Sequence, residues 1–102
     1  MYMSSEKKHF FVKLIPPRAT FIMDMTDPEK AIMQQHVLYW GQLLEKGKAI
    51  AYGPVMDPKG GYGVGIICVN SDDELQQLIA NDPANGLNKF EYAPMRAVYK
   101  QG

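Results

Sequence analysis

The sequence predicts an α+β domain with elements in the order β-α-β-β-α-β, and three observations carry that reading. HFFVKLI (9–15), KAIAYGPVM (48–56), GYGVGIICV (61–69) and KFEYAPMRAVY (89–99) are rich in β-branched or aromatic residues and flanked by Pro, Gly or Asn, as strands are. TDPEKAIMQQHVLYWGQLLEKG (26–47) and SDDELQQLIAND (71–82) carry helix start and stop signals. The two middle strands are joined by DPKGG (57–61), whose Pro and Gly make a turn between neighbours.

Each element has its own local reasons. Pro16 and Pro17 stop the first strand because they supply no N–H to a ladder. RATFIMDMTD (18–27) shows no clear period and is expected as a long loop. In the first helix Thr26 or Asp27 serves as N-cap, Pro28 suits the first turn and Glu29 favours the positive end of the dipole. Gly47 supplies the C-terminal stop. Ser71 caps the second helix, with acidic residues in its first turn, and PANGLN (83–88) is a loop. Pro94 interrupts the last strand and assigns it to an edge or a bulge. This order is the split βαβ arrangement of ferredoxin-like folds, a four-stranded antiparallel sheet with two helices on one face. A single domain over residues 1–102 is expected, with no repeat, linker or low-complexity tract.

The first strand is apolar on both faces, with Phe10, Val12 and Leu14 on one and Phe11 and Ile15 on the other. An antiparallel sheet with a wetted face alternates more cleanly. A second copy of the sheet is the economical cover, so a homodimer packed sheet to sheet is expected.

Composition narrows the function classes. The apolar fraction of 46% and charged fraction of 22% fit a soluble globular protein. Eleven basic and eleven acidic residues cancel, which leaves no net charge to attract nucleic acid or an anionic membrane. RNA-recognition domains share this element order, but Val64 and Ile66 stand where their third strand needs stacking rings. The lone Cys68 excludes an intrachain disulfide, and neither it nor His9 and His36 lies at metal-ligand spacing, so no metal is expected. His9, ahead of the first strand, reads as a surface residue. DPKGGYGVG is glycine-rich but leads into a strand rather than a helix N-terminus, a poor phosphate cradle. The apolar run near the N-terminus is too short for a signal-peptide core, and no run approaches the ~18 residues of a membrane span. A soluble cytoplasmic protein without cofactors is the expectation.

One residue breaks the pattern. At ~100° per residue, Ile32, Trp40 and Leu43 fall within roughly 40° of His36, and Met33 and Tyr39 within about 60°. His36 thus sits near the centre of the inward stripe, whereas Leu38 points outward. Two readings compete: a core histidine satisfied by one hydrogen bond, or a base lining an internal pocket. Burial favours the neutral ring a general base needs, and a nearby carboxylate fixes which nitrogen carries the proton. The second reading needs a carboxylate and an opening. Gly63 and Gly65 share one strand face and leave either a hollow or a place for another backbone to approach closely, unless they only mark a twist or bulge. The carboxylate candidates are Asp24, Asp57, Asp72, Asp73 and Asp82.

A histidine inside the first helix, then YGPV with Gly53 and Pro54, then Asp82-Pro83 after the second helix resembles the YCII-related domain family. The likeness runs from FFVKLIPPR to YAPMRAVY, nearly the whole chain. It implies a dimeric α+β barrel and a His–Asp pair proposed as a catalytic dyad, which falls on His36 and Asp82. The best understood similar enzymes eliminate hydrogen chloride from chlorinated muconolactones. What the likeness implies here is a lyase or isomerase in which His36 removes a proton next to a carbonyl or lactone carbon of a small-molecule ligand. Asp82 would orient the ring. Tyr39, Tyr52, Trp40 and Arg18 are candidate donors to the developing enolate. A cofactor-free oxygenase, or a non-catalytic ligand-binding or assembly protein on the same barrel, is the alternative.

Overall fold

The computed structural model describes residues 7–100. Residues 1–6 and 101–102, the ends of the expected 1–102 domain and part of the stretch read for a targeting signal, lie outside the described residues. Strands β1 (Lys8–Ile15), β2 (Ala49–Val55), β3 (Tyr62–Val69) and β4 (Lys89–Met95) form one sheet in the order β2-β3-β1-β4. All three pairings are antiparallel, as the ferredoxin-like arrangement requires. The prolines follow the logic of that order. Pro54 and Pro94 lie in β2 and β4, the edge strands, where a missing N–H need not break a central ladder.

Three helices accompany the sheet: α1 (Phe21–Asp24), α2 (Asp27–Glu45) and α3 (Asp72–Ala80). Helix α2 opens on a full capping box. Thr26 accepts from the Glu29 N–H, and the Glu29 carboxylate accepts from the Thr26 N–H. Its end is set by Gly47, whose φ of +76° lies where residues with a Cβ are strained. Ser71 caps α3 by accepting from the Glu74 N–H.

The short helix α1 corrects the expectation of a plain loop over residues 18–27. A single turn is not stable by its own hydrogen bonds. Burial of Phe21, 2% exposed, and a bond from the Thr20 hydroxyl to Asp24 at 2.6 Å fix it. Arg18 then ties this turn to α2, binding Asp24 at 2.8 Å and both oxygens of Glu29 at 3.0 and 2.8 Å. The last strand is also shorter than expected. His9 opposite Met95 is the final β1–β4 pair, so residues 96–99 have no partner strand to continue along.

The strand period divides the sheet into two faces. Phe10, Val12, Leu14, Ile67 and Val69 point toward the helices, where Trp40 and Leu43 of α2 and Leu75 of α3 complete the core. Phe11, Lys13, Ile15, Val64 and Ile66 point to the other face, which no helix covers among the described residues. Phe11 is 36% exposed there, against 5% for Phe10 beside it.

Candidate functional site

His36 and Trp40 are four residues apart on α2, so both side chains leave the same face of the helix toward the sheet. The loop after α3 meets them. There Asp82 donates its N–H to the Ile79 carbonyl at 3.2 Å and accepts from the Asn85 N–H at 2.9 Å, which holds the backbone in a compact turn. The carboxylate is turned inward; it accepts from the Ala84 N–H at 2.8 Å and from the Trp40 indole N–H at 2.7 Å. His36 Nδ1 lies 2.9 and 3.0 Å from its two oxygens.

Asp82 is therefore a buried carboxylate, its side chain 1% exposed, whose charge is met by N–H donors on three sides. Because a carboxylate only accepts, the neutral His36 ring must carry its proton on Nδ1. Nε2 is left with its lone pair, and no side-chain hydrogen bond within the described residues engages it. His36 also lines a cavity of about 720 Å³ between α2 and the sheet, within the ~300–1,000 Å³ common for small-molecule sites.

Where the cavity meets β3, Gly63 and Gly65 line it, and Trp40 and Leu14 occupy the room beside them. A Cβ on Gly65 would lie 2.3 Å from the Trp40 ring, and one on Gly63 would lie 3.2 Å from Leu14 Cβ. Side chains rather than another backbone approach this glycine pair: at Gly65 the Trp40 indole lies on the bare strand, and both glycines line the hollow. Phe21, Ile22 and Met25, from the segment expected to be a loop, form part of the wall. The β2–β3 turn buttresses them: Gly60 has φ +139°, and a Cβ on Gly61 would strike Ile22.

The structure sorts the other candidates. Asp24 is held by Thr20 and Arg18, Asp57 caps its own turn through the Lys59 N–H, Asp72 pairs with Lys8, and Asp73 sits in the first turn of α3. Only Asp82 among the five candidates reaches His36. Of the four proposed enolate donors, Arg18 is bound to Asp24 and Glu29, Trp40 to Asp82, and Tyr39 donates to the Leu78 carbonyl at 2.7 Å. Burial, and secondarily the Asp82 charge, push the Tyr39 hydroxyl up and keep it a donor. Tyr52 lines the cavity, and no hydrogen bond from its hydroxyl is found among the described residues.

Two roles were missed in the sequence. Trp40 reads as core or substrate donor; it is core, and its indole N–H also anchors Asp82. The wall built from α1 was hidden in an assumed loop; the apolar run Phe21-Ile22-Met23 was the available signal. His9 needs correction too. It lies inside β1, opposite Cys68 and Met95, and is half-buried with its Nε2 unpartnered, because the strand begins one residue before it. Among the described residues, no group of three or more His, Cys, Asp or Glu is placed to hold a metal ion, and no helix is long and apolar enough to cross a membrane.

Fold and site together define a ferredoxin-like α+β domain with a histidine–aspartate pair set against an apolar pocket. The model of the YCII-related domain matches residues 9–97, and the chain belongs to that family. No curated protein matches the chain.

Proposed function

We propose that this chain is a small-molecule enzyme of lyase or isomerase type, in which His36 takes a proton from a carbon next to a carbonyl or lactone group. The observation that carries the reading is the His36–Asp82 contact at 2.9 Å, which leaves Nε2 as the basic nitrogen of a ring that lines a cavity. In the step, the C–H bond breaks, its proton goes to Nε2, and its electron pair moves into the carbonyl to form an enolate. The imidazolium is stabilised by Asp82, whose oxygens already point at Nδ1. The step transfers one proton, and the electron pair stays within the substrate, so there is no net oxidation or reduction to call for a redox cofactor.

The test is exchange of α-hydrogens for deuterium in a panel of ketones and lactones, followed by proton NMR. Wild-type protein is expected to accelerate exchange in at least one class, with the acceleration lost in His36→Gln. A non-catalytic ligand-binding or assembly protein is the rival. It is favoured by the Asp82 bonds to Trp40 and Ala84, which would hold the loop with or without chemistry. Equal exchange rates with wild type and His36→Gln would select that rival.

The same reading includes a cytoplasmic homodimer that closes two open sheet faces into an α+β barrel. Its support is the apolar set Phe11, Ile15, Val64 and Ile66 on a face without helices. A monomer in sizing experiments at micromolar concentration would remove it.

A further inference from the structure

The cavity holds more information about its ligand than the base alone. Its walls are apolar, with Val12, Leu14, Ile22, Met33, Trp40 and Phe90 supplying much of the surface. No lysine or arginine lines it. The guanidinium of Arg18, near the α1 wall, is consumed by Asp24 and Glu29. Lys13 belongs to the opposite set of β1 residues, and its ammonium is held 4.4 Å above the ring of Tyr62, itself a lining residue. A carboxylate or phosphate entering this space would give up part of its hydration with no lysine or arginine among the lining residues to replace it. It would also approach the buried Asp82 charge behind His36. A cation fares no better, because the Asp82 oxygens are already taken by His36, Trp40 and Ala84.

Few lining residues other than Trp40 carry a polar side chain: His36, Tyr52 and Tyr62. His36 stands on one side of Trp40, ring centroids 6.2 Å apart, and Tyr52 packs on the same indole at 5.8 Å. The Tyr52 hydroxyl lies against α2, at 3.5 Å from where a Cβ on Gly41 would be. It is the one member of the four candidate enolate donors that is not already engaged.

We infer that the cavity selects uncharged, largely apolar carbonyl compounds, and that the Tyr52 hydroxyl donates to their carbonyl oxygen while His36 Nε2 faces the adjacent carbon. This rests on the base reading of His36 for its chemistry, but the ligand class follows from the walls. As the C–H electron pair moves onto oxygen, the Tyr52 O–H bond to that oxygen strengthens, and no proton need leave Tyr52.

Two probes of equal shape test it: naphthyl methyl ketone and naphthoate, titrated at neutral pH into the full chain and followed through the indole N–H signal of Trp40, the only tryptophan. The ketone is expected to bind about tenfold more tightly or better. Tyr52→Phe should weaken the ketone roughly three- to tenfold and leave naphthalene itself unchanged. Naphthoate binding as tightly as the ketone, or no response to either probe, overturns the ligand class. Unchanged ketone affinity in Tyr52→Phe overturns the donor. Deuterium exchange into the ketone's methyl group separates the two readings: if the binding pattern holds but exchange is not accelerated, the base assignment falls while the ligand class stands.

Discussion

The space between helices and sheet is built in two ways along one strand. The inward residues of β3 run Gly63, Gly65, Ile67 and Val69. At the Ile67–Val69 end the layer is close-packed, with Ile67 and Val69 each 1% exposed and Leu75 fully buried. At the glycine end the same layer is hollow and holds His36. The difference teaches that close packing and the candidate site are separated along a single β-strand. Large side chains at one end close the core, and at the other Gly63 and Gly65 line the hollow while keeping their pairing with Leu14 and Val12 of β1 and Pro54 and Tyr52 of β2.

The largest effect should come from breaking the packed end. Leu75→Ala is expected to cost ~2–5 kcal/mol in denaturant unfolding, the range for emptying a core leucine site. Ligand response at Trp40 should persist in whatever fraction stays folded. If it vanishes in the folded fraction, the two ends are not independent.

Filling the hollow end comes next. Gly65→Ala puts a Cβ at 2.3 Å from the Trp40 ring, and forcing the indole away should cost ~1–3 kcal/mol. Its signature is loss of the Trp40–Asp82 bond, read as faster solvent exchange of the indole N–H. An unchanged exchange rate would show that Trp40 accommodates the methyl group without leaving Asp82.

Asp82→Asn sharpens the comparison at the polar contact itself. The amide presents N–H donors where Trp40, Ala84 and His36 also donate, so a cost of ~1–3 kcal/mol is expected. Long-range proton–nitrogen NMR should find the neutral wild-type His36 protonated at Nδ1, with that preference weakened in the variant. The same tautomer ratio in both would remove Asp82 from its orienting role.

The smallest effect lies at the cavity's outer wall. The Glu29 carboxyl is lowered from its ordinary 4.5 to about 2, first by the Arg18 hydrogen bond and then by the Thr26 N–H. A lowered carboxyl stabilises the fold fully above 4.5, and that contribution disappears as pH falls toward 2. Glu29→Gln should therefore lower Tm slightly at neutral pH, and the gap from wild type should close between 4.5 and about 2. A gap that stays constant through that range would contradict the ion pair.

Much of this was legible in the sequence, and for local reasons. Helical phase alone aims His36 and Trp40 inward, the strand period puts Gly63 and Gly65 on one face, and Thr26, Gly47 and Ser71 mark helix ends through backbone chemistry that acts within a few residues. Tertiary structure decided the rest. Five aspartates were open as partners for His36, and resemblance rather than spacing pointed to Asp82; the contact spans 46 positions of chain and depends on how the loop after α3 folds back onto α2. Likewise Tyr39 and Tyr52 are both tyrosines beside the core, yet one hydroxyl finds the Leu78 carbonyl and the other lies against α2 at Gly41. Which face a side chain takes follows from its own helix or strand, but which partner waits there is set by elements that only the assembled sheet and helices bring together.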